Sequence, residues 1–416
     1  MKVLFLHPNF PAQFRHIATV LGADPNNQVV YITACVEGQI PGVRKFLYKT
    51  TREVSAQTHR YVRPLESSVA NGQAVWRTAY QLKDQLGFEP DVVYAHVGWG
   101  VGLFIRDLFP KAAYMGFFEW YYHATGSDVD FDPSDPPTED DAAKLHIRNA
   151  SILLDLVRCD AGIVPTQWQK QQFPPEFHSK LHVLHDGINL EACKPKANIK
   201  LTLPPSKDSD FAKNGLDLPV GAEIVTYVAR GMEPYRGFPQ MMAAVEQLQK
   251  MRSHCHMVIV GEDWVAYGST LPDGQTYRQK ALDELDLDLS RVHFTGSIPY
   301  SQLHQVYQAS SVHLYLTYPF VLSWSMLEAM AAGCVVLGSK TPPVEEVIVD
   351  GENGFLVDFW DVEAIASKLN ELLENQASLG KVRQKARQTI ADRYDLAQLL
   401  PQQMAFLKKA IRAAQS

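Results

Sequence analysis

The chain has 416 residues, of which 46% are hydrophobic and 20% are charged, and its formal net charge at pH 7 is −7. This length is enough for two domains that each bury a core of their own. The acidic balance gives no support to nucleic-acid binding, which normally requires a basic domain. The opening apolar run is too short for a signal peptide, and we find no apolar run long enough to span a membrane. We therefore expect a cytoplasmic protein.

The cysteines and acidic runs indicate neither a disulfide framework nor a metal site. The five cysteines form no Cys-x-x-Cys pair and are odd in number, which favours reduced thiols. The aspartates at 128, 130 and 132 precede Pro133 and lack the central glycine of a calcium loop. Near the C-terminus, Lys408, Lys409 and Arg412 fit the solvated face of a last helix. Peripheral contact with the inner face of a membrane is the alternative. The oligomeric state stays open.

Short apolar runs alternate with helical stretches along the whole chain, which is typical of parallel sheets built from β-α-β units. In the first half, strands are predicted at Lys2–Leu6, Val29–Ala34, Asp91–Ala95, Ala112–Phe118, Ala161–Val164 and Leu181–His185. In the second half, they are predicted at Glu223–Ala229, His256–Val260, Val292–Thr295, Val312–Leu316, Cys334–Leu337 and Phe355–Val357. This pattern predicts an α/β protein with two Rossmann-like, doubly wound domains that face each other across a cleft.

The boundary between the two halves is marked by composition. Residues 193–221 contain several prolines and scattered charges without a sustained period, which indicates a connection with an inserted loop or hairpin. We predict a first domain at residues 1–192, a connection at 193–222, a second domain at 223–394 and a final helix at about 395–416.

Polar side chains follow two of the strands in the first half. Asn9 and Gln13 come after the first strand and are candidates to bind a donor or an acceptor molecule. His96 comes at the end of the third strand, just before a glycine-containing turn that permits close approach of a ligand. A buried histidine with satisfied hydrogen bonds explains His96 equally well.

The fourth strand is followed by Glu119 and a group of aromatic and imidazole rings, Trp120, Tyr121 and His123. Aromatic rings beside polar groups suit sugars, because the C–H faces of a sugar pack on rings while its hydroxyls bind carboxylates. This stretch is therefore a candidate sugar-binding segment.

Two arginines follow the first strand of the second half. Arg230 and Arg236 precede Gly237 and a new helix. The carboxyl end of a parallel strand is where α/β folds bind ligands, and a guanidinium grips phosphate oxygens with a planar fork. This placement favours a phosphate-binding role over ordinary surface ion pairs.

The segment from Tyr318 to Gly333 reads as a polar loop that turns into a helix, and the strand Cys334–Leu337 follows at once. Free N–H groups at such a turn bind phosphates. The helix carries one carboxylate, Glu328, in its first turns. Ser325 and Glu328 also have the spacing of a capping box, in which the glutamate binds the N–H of the cap residue.

This loop and helix resemble the nucleotide-binding signature of family 4 glycosyltransferases, a Glu-x7-Glu pattern that ends in Leu-Glu-Ala-Met-Ala. The second glutamate is present as Glu328, but Phe320 occupies the position of the first. The ordered segments 159–168, 185–188, 260–262, 293–297 and 343–347 extend the resemblance over nearly the whole chain.

The resemblance implies a retaining glycosyltransferase of the GT-B type. Such an enzyme moves a sugar from a nucleoside-diphosphate donor, a UDP-sugar or a GDP-sugar, to a glycan, lipid-linked or small-molecule acceptor held by the first domain. It implies no cofactor and no metal, and a last helix that packs back on the first domain. A nucleotide-sugar epimerase of the same architecture and a non-catalytic nucleotide-sugar-binding protein are the alternatives.

The resemblance also implies roles for residues of the second half. Glu328 would bind the ribose hydroxyls, and Arg230 and Arg236 would stabilise the leaving diphosphate. The remaining donor-site residues would be Val321, Leu322 and Ser323, through their backbone N–H groups, and Gly261, Gly296 and Ser297. Phe320 cannot accept a hydrogen bond from the donor sugar, so we expect another group to hold that sugar.

In the first half, many relatives carry a histidine near the position of Glu119 that contacts the donor sugar. Glu119 and His96 are therefore the candidate catalytic groups of the first domain. The acceptor is expected near Asn9, Gln13, Trp120, Tyr121 and His123.

Overall fold

The structure, a computed structural model, describes residues 1–205 and 214–415. The chain divides into two compact units. Unit 1 contains Met1–Gly187 and the residues from Leu396 onward, and unit 2 contains Ile188–Asp395. Two parts of the predicted elements, residues 206–213 of the connection and Ser416 of the last helix, lie outside the described residues.

Unit 1 is built on a parallel sheet with the strand order β3-β2-β1-β4-β5-β6-β7. Its strands are β1 (Lys2–Leu6), β2 (Gln28–Thr33), β3 (Val43–Leu47), β4 (Val92–His96), β5 (Ala113–Phe117), β6 (Ala161–Val164) and β7 (Leu181–Val183). The helices between them are α1 (Arg15–Ala23), α2 (Arg63–Leu86), α3 (Ile105–Leu108), α4 (Glu139–Arg148), α5 (Ala150–Arg158) and α6 (Gln167–Gln172).

The first strand shows why this sheet reads as continuous apolar runs. Val3 and Phe5 pack in the core on one face of the sheet, and Leu4 and Leu6 pack in the core on the other. Successive side chains of a strand point to opposite faces. Because helices cover both faces, both sets of side chains are apolar.

Unit 2 repeats the plan with a second parallel sheet, in the order β12-β11-β10-β13-β14-β15, and an antiparallel pair, β8-β9. Its strands are β8 (Leu201–Leu203), β9 (Leu216–Leu218), β10 (Ile224–Gly231), β11 (His256–Glu262), β12 (Val292–Gly296), β13 (Val312–Tyr315), β14 (Val335–Ser339) and β15 (Phe355–Val357). Its helices are α7 (Phe238–Met251), α8 (Tyr277–Glu284), α9 (Tyr300–Ala309), α10 (Trp324–Ala331), α11 (Pro342–Glu345), α12 (Val362–Glu374) and α13 (Gly380–Arg393). Two Rossmann-like parallel-sheet units confirm the predicted fold class.

The last helix, α14 (Leu396–Gln415), belongs to unit 1. Its buried residues Leu399, Leu407 and Ala410 join the core that contains Phe5. The side-chain amide of Gln403 also donates to the carbonyl oxygen of His185 at 2.9 Å. Within the described ranges, no helix combines the length and the apolar character that a bilayer crossing requires.

The structure differs from the sequence prediction in two places. Strand β3 was not predicted, because it is an edge strand whose charged residues Arg44 and Lys45 interrupt any apolar run. The first boundary lies after Gly187 rather than at residue 192. Ile188 already belongs to unit 2, since its N–H donates to the carbonyl oxygen of Tyr394 at 2.7 Å.

A buried carboxyl group couples the stability of unit 1 to pH. The hydroxyl of Tyr114 donates to Oδ1 of Asp155 at 2.6 Å, deep in the core. Burial raises the pKa of Asp155 to about 7, although the hydrogen bond from Tyr114 opposes the rise. Because the folded pKa lies above the unfolded value, this group stabilises the fold most below about pH 4. That contribution is lost as the pH rises toward 7.

We predict that Asp155→Asn reduces the loss of unfolding free energy between pH 4 and pH 7, because the amide keeps an acceptor for Tyr114 and carries no charge. Relative to the wild type, the variant should gain about 3 to 4 kcal/mol of unfolding free energy between pH 4 and pH 7.5. Urea unfolding at several pH values measures the difference. Tyr114→Phe, which removes the opposing hydrogen bond, should make the wild-type slope steeper. Parallel profiles for all three proteins would contradict the assignment.

Candidate functional site

Each sheet has a point at which its strand order reverses, and α/β folds bind ligands outside such points. In unit 1 the reversal lies between β1 and β4, and in unit 2 it lies between β10 and β13. The polar residues singled out in the sequence lie near these two places, one in each unit.

In unit 2, a cavity of about 470 Å³ lies at the carboxyl ends of β10, β11 and β12, beside the start of α10. The residues that line it include five of the predicted donor-site residues: Arg230, Gly261, Ser297, Ser323 and Glu328. The cavity therefore combines a cation, a helix N-terminus and a carboxylate.

Glu328 lies in the second turn of α10 and lines this cavity. The hydroxyl of Tyr307 donates to its Oε2 at 3.3 Å. The helix is capped by Ser323, whose Oγ accepts a hydrogen bond from the N–H of Ser325. The capping box of Ser325 and Glu328 is therefore not formed, and the carboxylate lies at the cavity wall instead.

Arg230 lies at the rim of the cavity, where it is exposed. Its guanidinium carbon is 5.2 Å from the centre of the Trp264 ring, and Nε1 of Trp264 donates to the carbonyl oxygen of Arg230 at 3.2 Å. Trp264 thus holds a cation beside the cavity, and this geometry suits an anionic ligand.

Arg236 occupies a different place from Arg230. Its side chain is buried, and its Nη1 lies 2.7 Å from Oγ1 of Thr317, 3.1 Å from the carbonyl oxygen of Val321 and 3.3 Å from the hydroxyl of Tyr315. Arg236 is not among the described residues that line the cavity. In this structure its Nη1 fixes the loop between β13 and α10.

Phe320 lies in the same loop, and its side chain is 6% exposed. Its ring centre is 5.5 Å from that of Tyr235 and 5.1 Å from that of Tyr267, both in edge-on geometry. It does not line the described cavity. The loss of the first glutamate of the signature is therefore accompanied by an aromatic cluster that joins three loops.

The residues after Phe320 were predicted to bind a diphosphate through their backbone N–H groups. The N–H of Ser323 donates to the hydroxyl of Tyr315 at 2.9 Å. The carbonyl of Val321 accepts from Arg236, and the side chain of Leu322 is buried in the core around α10.

The glycine and serine positions of β11 and β12 shape the other wall of the cavity. Gly261 has a φ of +142°, and a Cβ added there would lie 2.2 Å from the carbonyl oxygen of Ala229. Only glycine fits this close approach. Gly296 ends β12 with a φ of +68°, and Ser297 beyond it lines the cavity.

In unit 1, four side chains form a polar cluster at the carboxyl ends of β1, β4 and β5. Nε2 of His7 lies 3.0 Å from Oε1 of Gln13, and the amide nitrogen of Gln13 donates to Oε1 of Glu119 at 2.5 Å. Nε2 of His96 lies 3.3 Å from Oε2 of Glu119, without the alignment of a hydrogen bond. The two candidate catalytic residues of this unit, His96 and Glu119, are therefore adjacent.

The expected acceptor residues of unit 1 do not form one open surface. Asn9 is exposed, and its backbone N–H donates to Nδ1 of His7. Trp120 is buried, Tyr121 packs against Phe173, and Nε2 of His123 lies 2.7 Å from the carbonyl oxygen of Gln172. Trp120, Tyr121 and His123 thus pack against the neighbourhood of α6.

A larger cavity of about 640 Å³ in unit 1 lies away from both polar sites. Arg106 and Arg158 at its wall are already paired with Asp160 and Asp107. Lys180 donates to three backbone carbonyls. Size alone does not make this cavity a candidate site, because its cations are neutralised within the unit.

Sequence reasoning missed three residues that shape the two sites. Tyr307 contacts Glu328 from α9, and His7 contacts Gln13. Glu233 is fully buried and accepts a hydrogen bond from the N–H of Tyr267 at 2.5 Å, and burial raises its pKa to about 7. Glu233 could have been found from the sequence, because it lies between Arg230 and Arg236 at the end of a strand.

Two family profiles match the chain. Residues 25–193 match the glycosyl transferase family 4 group, and residues 208–389 match the glycosyl transferases group 1. The chain belongs to the family 4, group 1 glycosyltransferases. The resemblance inferred from the loop and helix at Tyr318–Gly333 is thereby confirmed.

The chain is also similar to named relatives. It is 26% identical over 208 residues to a D-inositol 3-phosphate glycosyltransferase from Corynebacterium efficiens, covering 49% of this chain and 47% of that protein. It is 26% identical over 270 residues to a lipopolysaccharide 1,2-N-acetylglucosaminetransferase from Salmonella typhimurium, covering 62% and 66%. The chain thus matches about half of the first relative's length and just under two thirds of the second's.

A solved structure of the same fold is that of the Anabaena protein Alr3699/HepE in complex with UDP-glucose. The two structures superpose with a TM-score of 0.67 over 98% of this chain and 100% of that one, at 16% sequence identity. This similarity establishes that the chain has the GT-B fold.

The contrast between the two arginines predicts different effects on stability. Arg236→Met should lower the unfolding free energy by about 2 to 4 kcal/mol, because Thr317 and Val321 lose a buried donor. Arg230→Met, the matched change at the exposed rim, should lower it by about 0.5 kcal/mol or less. Urea unfolding of both variants measures these differences. An equal effect of the two substitutions would mean that Arg236 does not hold the loop.

Proposed function

We propose that the protein is a retaining glycosyltransferase that uses a nucleoside-diphosphate sugar as its donor. The observation that carries the proposal is the cavity of unit 2, which brings Glu328, the N-terminus of α10 and Arg230 together. A carboxylate suits ribose hydroxyls, and a cation beside a helix N-terminus suits a diphosphate. The cavity thus has groups for two parts of a nucleoside diphosphate, the ribose and the diphosphate.

Uridine diphosphate is the first nucleotide to test. The Anabaena protein of the same fold holds UDP-glucose, and a cavity of about 470 Å³ falls within the usual range for small-molecule sites. A guanosine diphosphate donor is the second candidate, because the residues that line the cavity do not by themselves select the base.

Unit 1 has polar groups that suit the hydroxyls of an acceptor. Glu119 and His96 lie next to each other at the carboxyl ends of neighbouring strands. A carboxylate and an imidazole offer hydrogen bonds to sugar hydroxyls. The acceptor is a glycan, a lipid-linked sugar or a small polyol.

The proposed reaction breaks the bond between the anomeric carbon and the diphosphate oxygen, and the electron pair leaves with the diphosphate. An acceptor oxygen then bonds to the same face of the anomeric carbon, and its proton passes to the departing phosphate. The protein's contribution is to position the reactants and to stabilise the negative charge that develops on the diphosphate. Arg230 and the N-terminus of α10 are placed for the second task.

We predict that the protein releases UDP when a UDP-sugar is mixed with a suitable acceptor. Release is measured with a coupled phosphate assay across UDP-glucose, UDP-N-acetylglucosamine and GDP-mannose, with glycan, inositol phosphate and lipid-linked acceptors. Glu328→Gln should weaken UDP binding by about tenfold, because a charge-assisted hydrogen bond to the ribose is lost. Glu371→Gln, on the exposed surface of α12, is the matched control and should bind UDP as the wild type does.

The same assay separates the rival activities. An epimerase would convert the donor to an isomeric sugar nucleotide without transfer, and a non-catalytic binder would be stabilised by UDP-sugars without releasing UDP. Wild-type UDP affinity in Glu328→Gln would remove the ribose role from Glu328.

A further inference from the structure

One loop of unit 2 contacts Arg230 at the rim of the cavity. Residues 263–268, which we call the Trp264 loop, follow β11 and place Trp264 in the cavity wall. Nε1 of Trp264 donates to the carbonyl oxygen of Arg230 at 3.2 Å, and the centre of its ring lies 5.2 Å from the guanidinium carbon. Trp264 therefore contacts both the backbone and the side chain of Arg230.

The Trp264 loop is held against the end of β10 by a buried carboxylate. Glu233 is fully buried, and its Oε2 accepts a hydrogen bond from the N–H of Tyr267 at 2.5 Å. The loop also lies directly over Gly231, where an added Cβ would be 2.5 Å from the carbonyl oxygen of Trp264. The carboxylate of Glu233 and the close approach at Gly231 thus fix the position of the same loop.

The surroundings of Glu233 are unfavourable for a carboxylate. Its Oε1 is buried and makes no hydrogen bond to the described residues. Burial raises the pKa of Glu233 to about 7, although the N–H of Tyr267 and the charges of Arg236 and Arg230 oppose the rise. A buried carboxyl with an unpaired oxygen lowers the stability of a fold, and carboxyls with raised pKa values are common at functional sites. Stability alone therefore does not explain a carboxylate at this position.

We propose that Glu233 is a positioning residue for the diphosphate: it anchors the Trp264 loop, and Trp264 fixes Arg230 at the rim of the cavity. Arg230 is exposed, so its side chain loses rotamer freedom when it binds an anion, and that loss lowers the affinity. Contacts that order the side chain beforehand reduce the loss. The inference rests on the proposed function, because the anion is the diphosphate of the nucleotide sugar.

A second route from Glu233 to the cavity passes through Arg236. The two residues interact through their charges, and Arg236 holds the loop that precedes α10. This route needs the charge of Glu233 and does not need Arg230. The proposed route needs Arg230 and an acceptor for the N–H of Tyr267. Variants that change the charge and the acceptor separately therefore distinguish the two routes.

Three substitutions of Glu233 make this separation. Glu233→Asp keeps the charge but draws the carboxylate back from the N–H of Tyr267 by the length of a methylene group. Glu233→Gln removes the charge and keeps an oxygen within reach of that N–H, and Glu233→Met removes both. Glu246→Met is the matched control, because Oε1 of Glu246 accepts from the backbone N–H of Asp286 at 3.0 Å. Glu246 is not among the described residues that line the cavity.

The binding test is isothermal titration calorimetry of the full chain with UDP. Glu233→Asp and Glu233→Met should each weaken UDP binding by about fivefold to tenfold, because Arg230 is no longer ordered before binding. Glu233→Gln and Glu246→Met should stay within about twofold of the wild type. In an Arg230→Met background, Glu233→Asp should weaken binding by no more than about twofold further, because both changes affect the same contact.

Three results of this titration would overturn the proposal. The first is wild-type affinity in Glu233→Asp and Glu233→Met. The second is a loss of affinity in Glu233→Gln that Glu233→Asp does not share, which would show that the charge matters and the anchor does not. The third is an undiminished effect of Glu233→Asp in the Arg230→Met background, which would show that Glu233 acts by another route.

The indole of Trp264 reports on the loop without a ligand. In the full chain labelled with ¹⁵N-tryptophan, its Nε1–H signal is identified by its disappearance in Trp264→Phe. The hydrogen bond to the carbonyl of Arg230 slows the exchange of this proton with water, and Glu233→Asp should speed the exchange by about tenfold or more. Glu233→Gln and Glu246→Met should leave the rate unchanged. An unchanged rate in Glu233→Asp would overturn the anchoring role. If the wild type binds no UDP, the proposed function fails, while this measurement still decides whether Glu233 holds the loop.

Discussion

The cavity of unit 2 depends on one buried cation, Arg236. Nη1 of Arg236 binds the side chain of Thr317 and the carbonyl of Val321, which lie on the loop that leads from β13 into α10. A buried guanidinium is tolerated only where such acceptors surround it. By fixing this loop, Arg236 fixes the start of α10, and with it the cap at Ser323 and the place of Glu328 at the cavity wall. Arg230, which is exposed at the rim, is then the arginine placed to meet a ligand.

The two units differ in the side chains that lie at the ends of their strands. In unit 2, the place of the first signature glutamate is taken by Phe320, which packs against Tyr235 and Tyr267 and stiffens the loops around the cavity. In unit 1, a carboxylate at Glu119 is held in place by Gln13. Unit 2 thus has an aromatic side chain at the position of the first signature glutamate, and unit 1 has a carboxylate that accepts a hydrogen bond from Gln13.

The sequence predicted the sheet strands where helices cover both faces, as in Val3–Leu6, because burial on both sides leaves a continuous apolar run. It missed β3, whose charges suit an edge. For the site, the place of Arg230 after a strand predicted a phosphate-binding role, and the family resemblance predicted a ribose-binding role for Glu328; both residues line the cavity of unit 2. It could not reveal that Gln13 bonds to a residue 106 positions away, or that Phe320 is buried. Those contacts are set by tertiary packing, which no local pattern encodes.

The most direct test of the account is a crystal structure of the protein with UDP bound. The account predicts that the nucleotide occupies the cavity of about 470 Å³, with a ribose hydroxyl within hydrogen-bonding distance of the Glu328 carboxylate and the diphosphate between Arg230 and the start of α10. Arg236 should keep its bonds to Thr317 and Val321. UDP bound outside this cavity, or a ribose with no contact to Glu328, would contradict the account.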